Sequence, residues 1–226
     1  MEVNELLDRY EATGDETAFD EAKRTFESAL GDAPDPNLLA GYGYLLECHG
    51  RNSLRQAVTL YERAIELDPI ADKPRYQLIL ARAALLETEQ AIALYQERLA
   101  AAPDDVREYR FLASAYLAAH EYQGAATAVD AGLALAPDDR TLIECRGSVR
   151  AATGDPEGAL ADWRRAVELD PEQIGPIYGS AFLLEREGRV DEAAQAWRSI
   201  VDWHVARNDE LHAEWPKREL ARVLAK

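Results

Sequence analysis

The stretch Ala64–Pro69, AIELDP, returns as AVELDP at Ala166–Pro171. The two copies lie 102 residues apart, three times 34. Prolines keep the same beat: Pro34, Pro69, Pro103, Pro137 and Pro171 follow at intervals of 35, 34, 34 and 34. Twelve residues before each stands an alanine: Ala22, Ala57, Ala91, Ala125 and Ala159. Ala193 extends the series, although position 205 carries valine in place of proline. Four residues after each alanine comes Phe26, Tyr61, Tyr95, Val129, Trp163 or Trp197. Four further on come Leu30, Ile65, Leu99, Leu133, Val167 and Val201. Residues four apart share a helix face, and proline cannot donate the hydrogen bond that would prolong the helix. The phrase is therefore the closing half of an amphipathic helix, written six times.

A second periodic segment precedes each phrase. Between Glu108 and Tyr122 it reads EYRFLASAYLAAHEY, with Tyr109, Leu112, Ala113 and Tyr116 on one face. Turn signals separate the two segments at Gly14-Asp15, Gly50-Arg51-Asn52, Gly154-Asp155-Pro156 and Gly188-Arg189. Small residues recur midway along the first helix, at Gly43, Ala113, Gly147 and Ala181. With the repeated alanine of the second helix, they let two helix axes approach, and the aromatic fills the wedge beside them. One such hairpin cannot cover its own apolar face, whereas stacked hairpins can.

A large, a small and a tyrosine-like residue in the first helix, then Ala, aromatic, Ala and Pro in the second, resemble the tetratricopeptide repeat family. The resemblance covers about residues 3–207. It implies an all-α, right-handed solenoid of about six hairpins, with units near 3–36, 37–71, 72–105, 106–139, 140–173 and 174–207. The first unit departs most, with three extra residues between Gly14 and Ala22, and the second has two extra after Gly50. Arg98 and Gly132 stand where the family has a small alanine. A stack needs covered ends. Residues 208–226 read as a capping helix from about Asp209 to Ala225, in which Leu211, Trp215, Leu220 and Leu224 are expected to cover the last hairpin. The late basic residues Lys217, Arg218, Arg222 and Lys226 complement a helix C-terminus.

Composition narrows the function classes. The net charge is −17, a field that repels phosphate backbones and anionic lipid, so neither nucleic acid nor membrane is expected as a partner. No apolar window reaches a membrane span, and the acidic start MEVNELLDRYE does not read as a signal peptide. Cys48 and Cys145 are 97 residues apart, which speaks against a disulfide framework and fits a reducing, cytoplasmic setting. No catalytic constellation emerges. Cys48 and His49 are sequence neighbours, which on a helix point about 100° apart. His204, Asn208 and His212 would share a face if their helix were continuous, but no further ligand joins them, so no metal and no cofactor is expected.

The resemblance implies that first helices line a groove in which partner segments lie. By position, that groove receives Tyr44, Lys73, Tyr76, Gln77, Arg107, Arg110, Phe111, Ser114, Glu144, Ser148, Tyr178 and Phe182. One subgroup of the family grips a C-terminal carboxylate with Lys, Asn and Arg from three consecutive units. Here those places hold Ala40, Tyr44, Gln77, Arg107 and Phe111 in one frame, with a single basic residue, so that clamp is not expected. Lys73, Arg107 and Arg110 with Tyr76 and Phe111 form a cationic, aromatic patch suited to an acidic, aromatic segment. The opposing reading pairs these arginines internally, with acids such as Glu108 and Glu144. The sequence thus points to a non-enzymatic adaptor that binds a protein or peptide. Self-assembly through the terminal faces, or service as an accessory subunit of an enzyme, are the alternatives.

Overall fold

The computed structural model describes residues 10, 16–30, 35–49 and 51–225, with the side chains of 16, 51 and 52 left aside. Among them are twelve helices and no strand. They fall into two compact units, Met1–Ala101 and Ala102–Lys226. The first holds α1 (Glu16–Ala29), α2 (Pro36–His49), α3 (Arg51–Leu67), α4 (Asp72–Ala84) and α5 (Thr88–Ala101). The second holds α6 (Val106–Ala118), α7 (Tyr122–Leu135), α8 (Arg140–Thr153), α9 (Pro156–Leu169), α10 (Gly175–Arg186), α11 (Val190–Val205) and α12 (Glu210–Leu224). The first helix expected ahead of Gly14 lies, apart from buried Tyr10, outside the described residues.

Each unit is a stack of helical hairpins. In the first, α2 pairs with α3 and α4 with α5, and α4 leans on both α3 and α2. In the second, the hairpins are α6–α7, α8–α9 and α10–α11. Their first helices touch in order, α6 on α8 and α8 on α10, while α12 packs on α11. The fold class is thus all-α, a solenoid of helical hairpins.

The repeated residues are the contacts of this stack. Ala22, Ala57, Ala91, Ala125, Ala159 and Ala193 are all at most 1% exposed. The bulky residue one turn later is buried in all six cases. A methyl group placed on Gly43 would sit 2.6 Å from Tyr61, and one on Gly147 2.7 Å from Trp163. On its other side Trp163 meets Gly179, at 3.0 Å, so one indole is wedged between two first helices. Gly132, which replaces an alanine of the repeat, has the same cause: a methyl there would lie 2.5 Å from Leu142 and 2.9 Å from Tyr109. The polar tips of these buried rings find partners. Tyr61 donates to Glu47 at 3.0 Å, Trp163 to the Glu144 carbonyl at 3.2 Å and Trp197 to Glu185 at 2.8 Å.

The turns inside hairpins follow the period more strictly than their residues do. Leu86, His120, Gly154 and Gly188 are 34 apart, and all four adopt left-handed backbone, with φ of 64°, 59°, 90° and 72°. After each, an N–H reaches back five residues: Glu87 to Arg82, Glu121 to Tyr116, Asp155 to Arg150 and Arg189 to Leu184. The turn expected at Gly50–Asn52 is shorter than read, since α3 starts at Arg51. The second helices α3, α5, α7 and α9 end two residues before Pro69, Pro103, Pro137 and Pro171. Without such a proline, α11 runs on to Val205.

Candidate functional site: the first-helix face and the capped end

The first helices turn one flank to the second helices and another outward. On α4 the outward flank carries Lys73, Tyr76 and Leu80, all exposed, with Gln77 half-buried beside them. Tyr44 on α2 is half-buried. These residues belong to the first unit. The other eight expected groove residues belong to the second.

There the two arginines are held by acids. Asp105, at the N-cap of α6, accepts from the Arg107 backbone N–H and from its guanidinium at 3.2 and 2.9 Å. Asp139, at the N-cap of α8, accepts from the Leu142 N–H at 3.0 Å and from the Arg110 Nε at 2.8 Å and Nη2. The Asp139 side chain is only 4% exposed, so Arg110 fastens α6 to the start of α8. Internal pairing therefore occurs, with Asp105 and Asp139 as partners where Glu108 and Glu144 had been expected. Phe111 is a correction to the expected patch: it is 5% exposed and sits among packed side chains.

Ser114 on α6, Ser148 on α8 and Phe182 on α10 occupy the same place in successive hairpins, as do Arg110, Glu144 and Tyr178. Ser114 and Ser148 donate to the carbonyls of Arg110 and Glu144 one turn back, at 2.9 and 3.2 Å, and Ser114 Oγ also lies 3.9 Å from Cys145 Sγ. Glu144 gives Oε2 to Arg140 at 2.7 Å. Its Oε1 lies against the start of α10, 2.9 Å from where a methyl on Gly175 would be. Burial pushes its carboxyl upward from the ordinary range, against the opposing pull of Arg140. Cys145 beside it is buried, and burial with the nearby Glu144 carboxylate pushes its thiol up to about 12, which leaves it an inert thiol.

At the capped end the row closes on aromatic rings. Phe182 is 50% exposed and Trp215 of α12 44%. Their centroids are 6.2 Å apart. Tyr178 stacks on Trp215 at 5.8 Å, and buried Trp197 meets Phe182 and Trp215 edge-on at 5.2 and 5.4 Å. One end of this platform is bounded by Arg222, which reaches both Glu185 oxygens at 2.8 Å. The other end is a chain of hydrogen bonds: Tyr178 to His204 Nε2 at 3.2 Å, His204 Nδ1 to Asp209 at 2.8 Å, and His212 Nδ1 to the same carboxylate at 2.6 Å. His204 and His212 do not share one helix. The chain breaks at Asn208, in left-handed backbone with φ of 56°, and Asp209 caps α12. Among the described residues no cluster of His, Cys, Asp and Glu is arranged to hold a metal.

The cap meets the expectation at Leu220 and Trp215, which touch the last hairpin, and departs from it at Leu211 and Leu224. Ala213, Pro216 and Val223 are buried against the last hairpin, with Leu220 half-buried. Leu211, Trp215 and Leu224 are 46%, 44% and 60% exposed. Trp215 does cover part of the last hairpin, through Tyr178, Phe182 and Trp197, but it keeps one side in solvent. Its placement two residues after a buried alanine was the available signal.

No protein-family model and no curated protein matches the sequence. Solved structures do resemble the fold. A tetratricopeptide repeat protein of Thermus thermophilus, TTC0263, aligns with a TM-score of 0.65 at 21% identity, over 84% of this chain and all of that one. A chain of the APC/C hetero-tetramer Cut9–Hcn1 aligns at 0.60 and 13% identity, over 93% of this chain and 43% of that one. A tetratricopeptide repeat protein of Parabacteroides merdae aligns at 0.53 and 14% identity, over 98% and 93%. Hairpins of 34 residues, wedged aromatics on a small-residue seam and these likenesses agree: the chain has the tetratricopeptide repeat fold.

Proposed function

We propose that the chain is a non-catalytic scaffold that holds a segment of a partner protein on its first-helix face. The observation that carries this reading is the placement of large apolar side chains on that face with much of their surface open to solvent. Tyr76 and Phe182 are each 50% exposed, and Leu80 37%. Folding gains nothing from such exposure, while an arriving segment gains from covering it. Each unit offers such a face by itself: Tyr44, Lys73, Tyr76 and Gln77 in the first, and Arg107, Arg110, Ser114, Glu144, Ser148, Tyr178 and Phe182 in the second. Photo-crosslinking tests it. A photoreactive phenylalanine analogue at Tyr76, Ser114 or Phe182 should give protein adducts in the native cell. The same residue at Thr127 or Arg164, exposed on second helices, should give none. Equal adducts from both sets would sink the reading.

One observation favours self-assembly as a second reading. Leu211 and Leu224 leave apolar surface on α12 itself, 46% and 60% exposed. A monomer in sedimentation equilibrium at about 100 μM, near the upper end of weak specific association, removes it.

A further inference from the structure

The face formed by α8, α10 and α12 offers acceptors and π-systems, with few donors left over. Ser114 and Ser148 spend their hydroxyl hydrogens on the helix behind them. Tyr178 points its hydroxyl at His204, away from the rings. Arg110 and Arg222 are drawn onto Asp139 and Glu185. Glu144 has one oxygen on Arg140, and among the described residues no donor sits on the other. That oxygen lies over Gly175, one turn before Tyr178. About two turns, or roughly 10 Å, further along α10 stands Phe182, and with Trp215 of α12 it leaves about half of its ring surface exposed. A half-buried carboxylate and half-exposed aromatic rings call for a cation with N–H donors. The net charge of −17 adds long-range attraction of the same sign.

We infer that this face takes a basic partner segment, with a lysine or arginine side chain set on the Phe182 and Trp215 rings and the Glu144 carboxylate, two turns back along α10, attracting its charge. The inference rests on the scaffold reading above and gives the partner its chemistry. It reverses the acidic segment expected from the arginines, because those arginines are spoken for. Arginine suits the site best, since its flat guanidinium stacks on a ring while donating in plane. The small Ser114 and Ser148 leave room for the rest of the segment to run back along α8 and α6.

The test uses four pools of fluorescein-labelled nonapeptides, acetylated and amidated, random except for a central Arg, Lys, Leu or Glu. Fluorescence polarisation with the full chain should rank Arg and Lys pools about tenfold above Leu and Glu pools. Phe182→Leu keeps bulk but removes the ring, and should lower binding of the Arg pool severalfold. Trp215→Leu also strips packing from α12, so Glu144→Gln serves as the second variant, because it retains a partner for Arg140. It should weaken the Arg pool, while the same charge change at exposed Glu66 leaves it unaltered. Equal or tighter binding of the Leu or Glu pools overturns the inference. So does an Arg pool indifferent to Phe182→Leu and Glu144→Gln, which would mean diffuse attraction to an acidic protein. Absence of binding by every pool overturns it as well. In each case adducts confined to Tyr76, Ser114 and Phe182 would leave the scaffold reading standing, and adducts spread over both helix faces would remove it separately.

Discussion

Leu86 carries a conformation its chemistry resists. Its φ is 64°, and its side chain, 84% exposed, gains almost nothing from packing. A β-carbon in left-handed backbone costs about 1 kcal/mol. Leu86→Gly should therefore raise stability by about that amount in urea unfolding, while Gly154→Ala, at φ 90°, should lower it similarly. The seam behaves oppositely. Gly43→Ala drives a methyl to within 2.6 Å of a tyrosine that is fully buried and bonded to Glu47, so the ring cannot swing aside. A loss of about 1–3 kcal/mol is expected. Glu47 has its own signature. Burial holds its carboxyl above the ordinary range, although the Tyr61 hydrogen bond pulls the other way. The unfolded carboxyl thus releases its proton first, and as pH rises from the unfolded value to the raised one the native state loses stability. Glu47→Gln, which still accepts from Tyr61, should flatten the stability profile in that window. An unchanged slope would show that the carboxyl titrates normally.

Among the elements, α12 depends most on a single side chain. Asp209 caps it through the His212 N–H and also binds two imidazoles, one of them on buried His204 at the end of α11. Burial works against the charge of Asp209, but the His212 and His204 hydrogen bonds outweigh it and hold the carboxyl below its usual range. A depressed pKa contributes stability that is present above the unfolded value and is lost as pH falls through the lowered one. Hydrogen exchange should show α12 amides loosening at acid pH while those of α8 and α9 stay protected. Asp209→Ala should bring that loosening to neutral pH, at a cost of about 1–2 kcal/mol. The existence of this helix was legible in the sequence, near Asp209–Ala225 against the observed Glu210–Leu224. Its orientation was not. Choosing by size takes Leu211, Trp215, Leu220 and Leu224, in steps of four, five and four, but the stack accepts the helix along Ala213, Pro216, Leu220 and Val223, where a small side chain allows close approach. The six repeated alanines state the same rule, and applied to α12 it would have found the buried face.

For the molecule as a whole, the scaffold was written in what repeats, and the candidate site in what does not. Six alanines and five prolines sufficed for the hairpins, because each contact recurs and any one reading can be checked against the others. Arg107 and Arg110 have no such check. Whether a charge faces a partner or a neighbour depends on where Asp105 and Asp139 fall at helix starts, and sequence spacing alone leaves that open. The net charge of −17 acts above this level, and it acts on folding and binding with opposite sign. Like charges crowded on folded hairpins repel, and salt shortens the reach of that repulsion to about 8 Å at 0.15 M. Raising salt from about 10 to 300 mM, which brings that reach from near 30 Å to within a few ångströms, should therefore raise the melting temperature by roughly a few degrees. Over the same range a basic segment should bind more weakly, because the field that attracts it is screened alike. Calorimetry and polarisation on one salt series measure both trends. If melting rises while Arg-pool binding stays flat, the contact is made by rings alone and the acidic field contributes nothing to capture. If both stay flat, the surface charges are already neutralised in local pairs such as Arg189 with Glu157 and Glu192, and long-range repulsion is no part of this fold's stability.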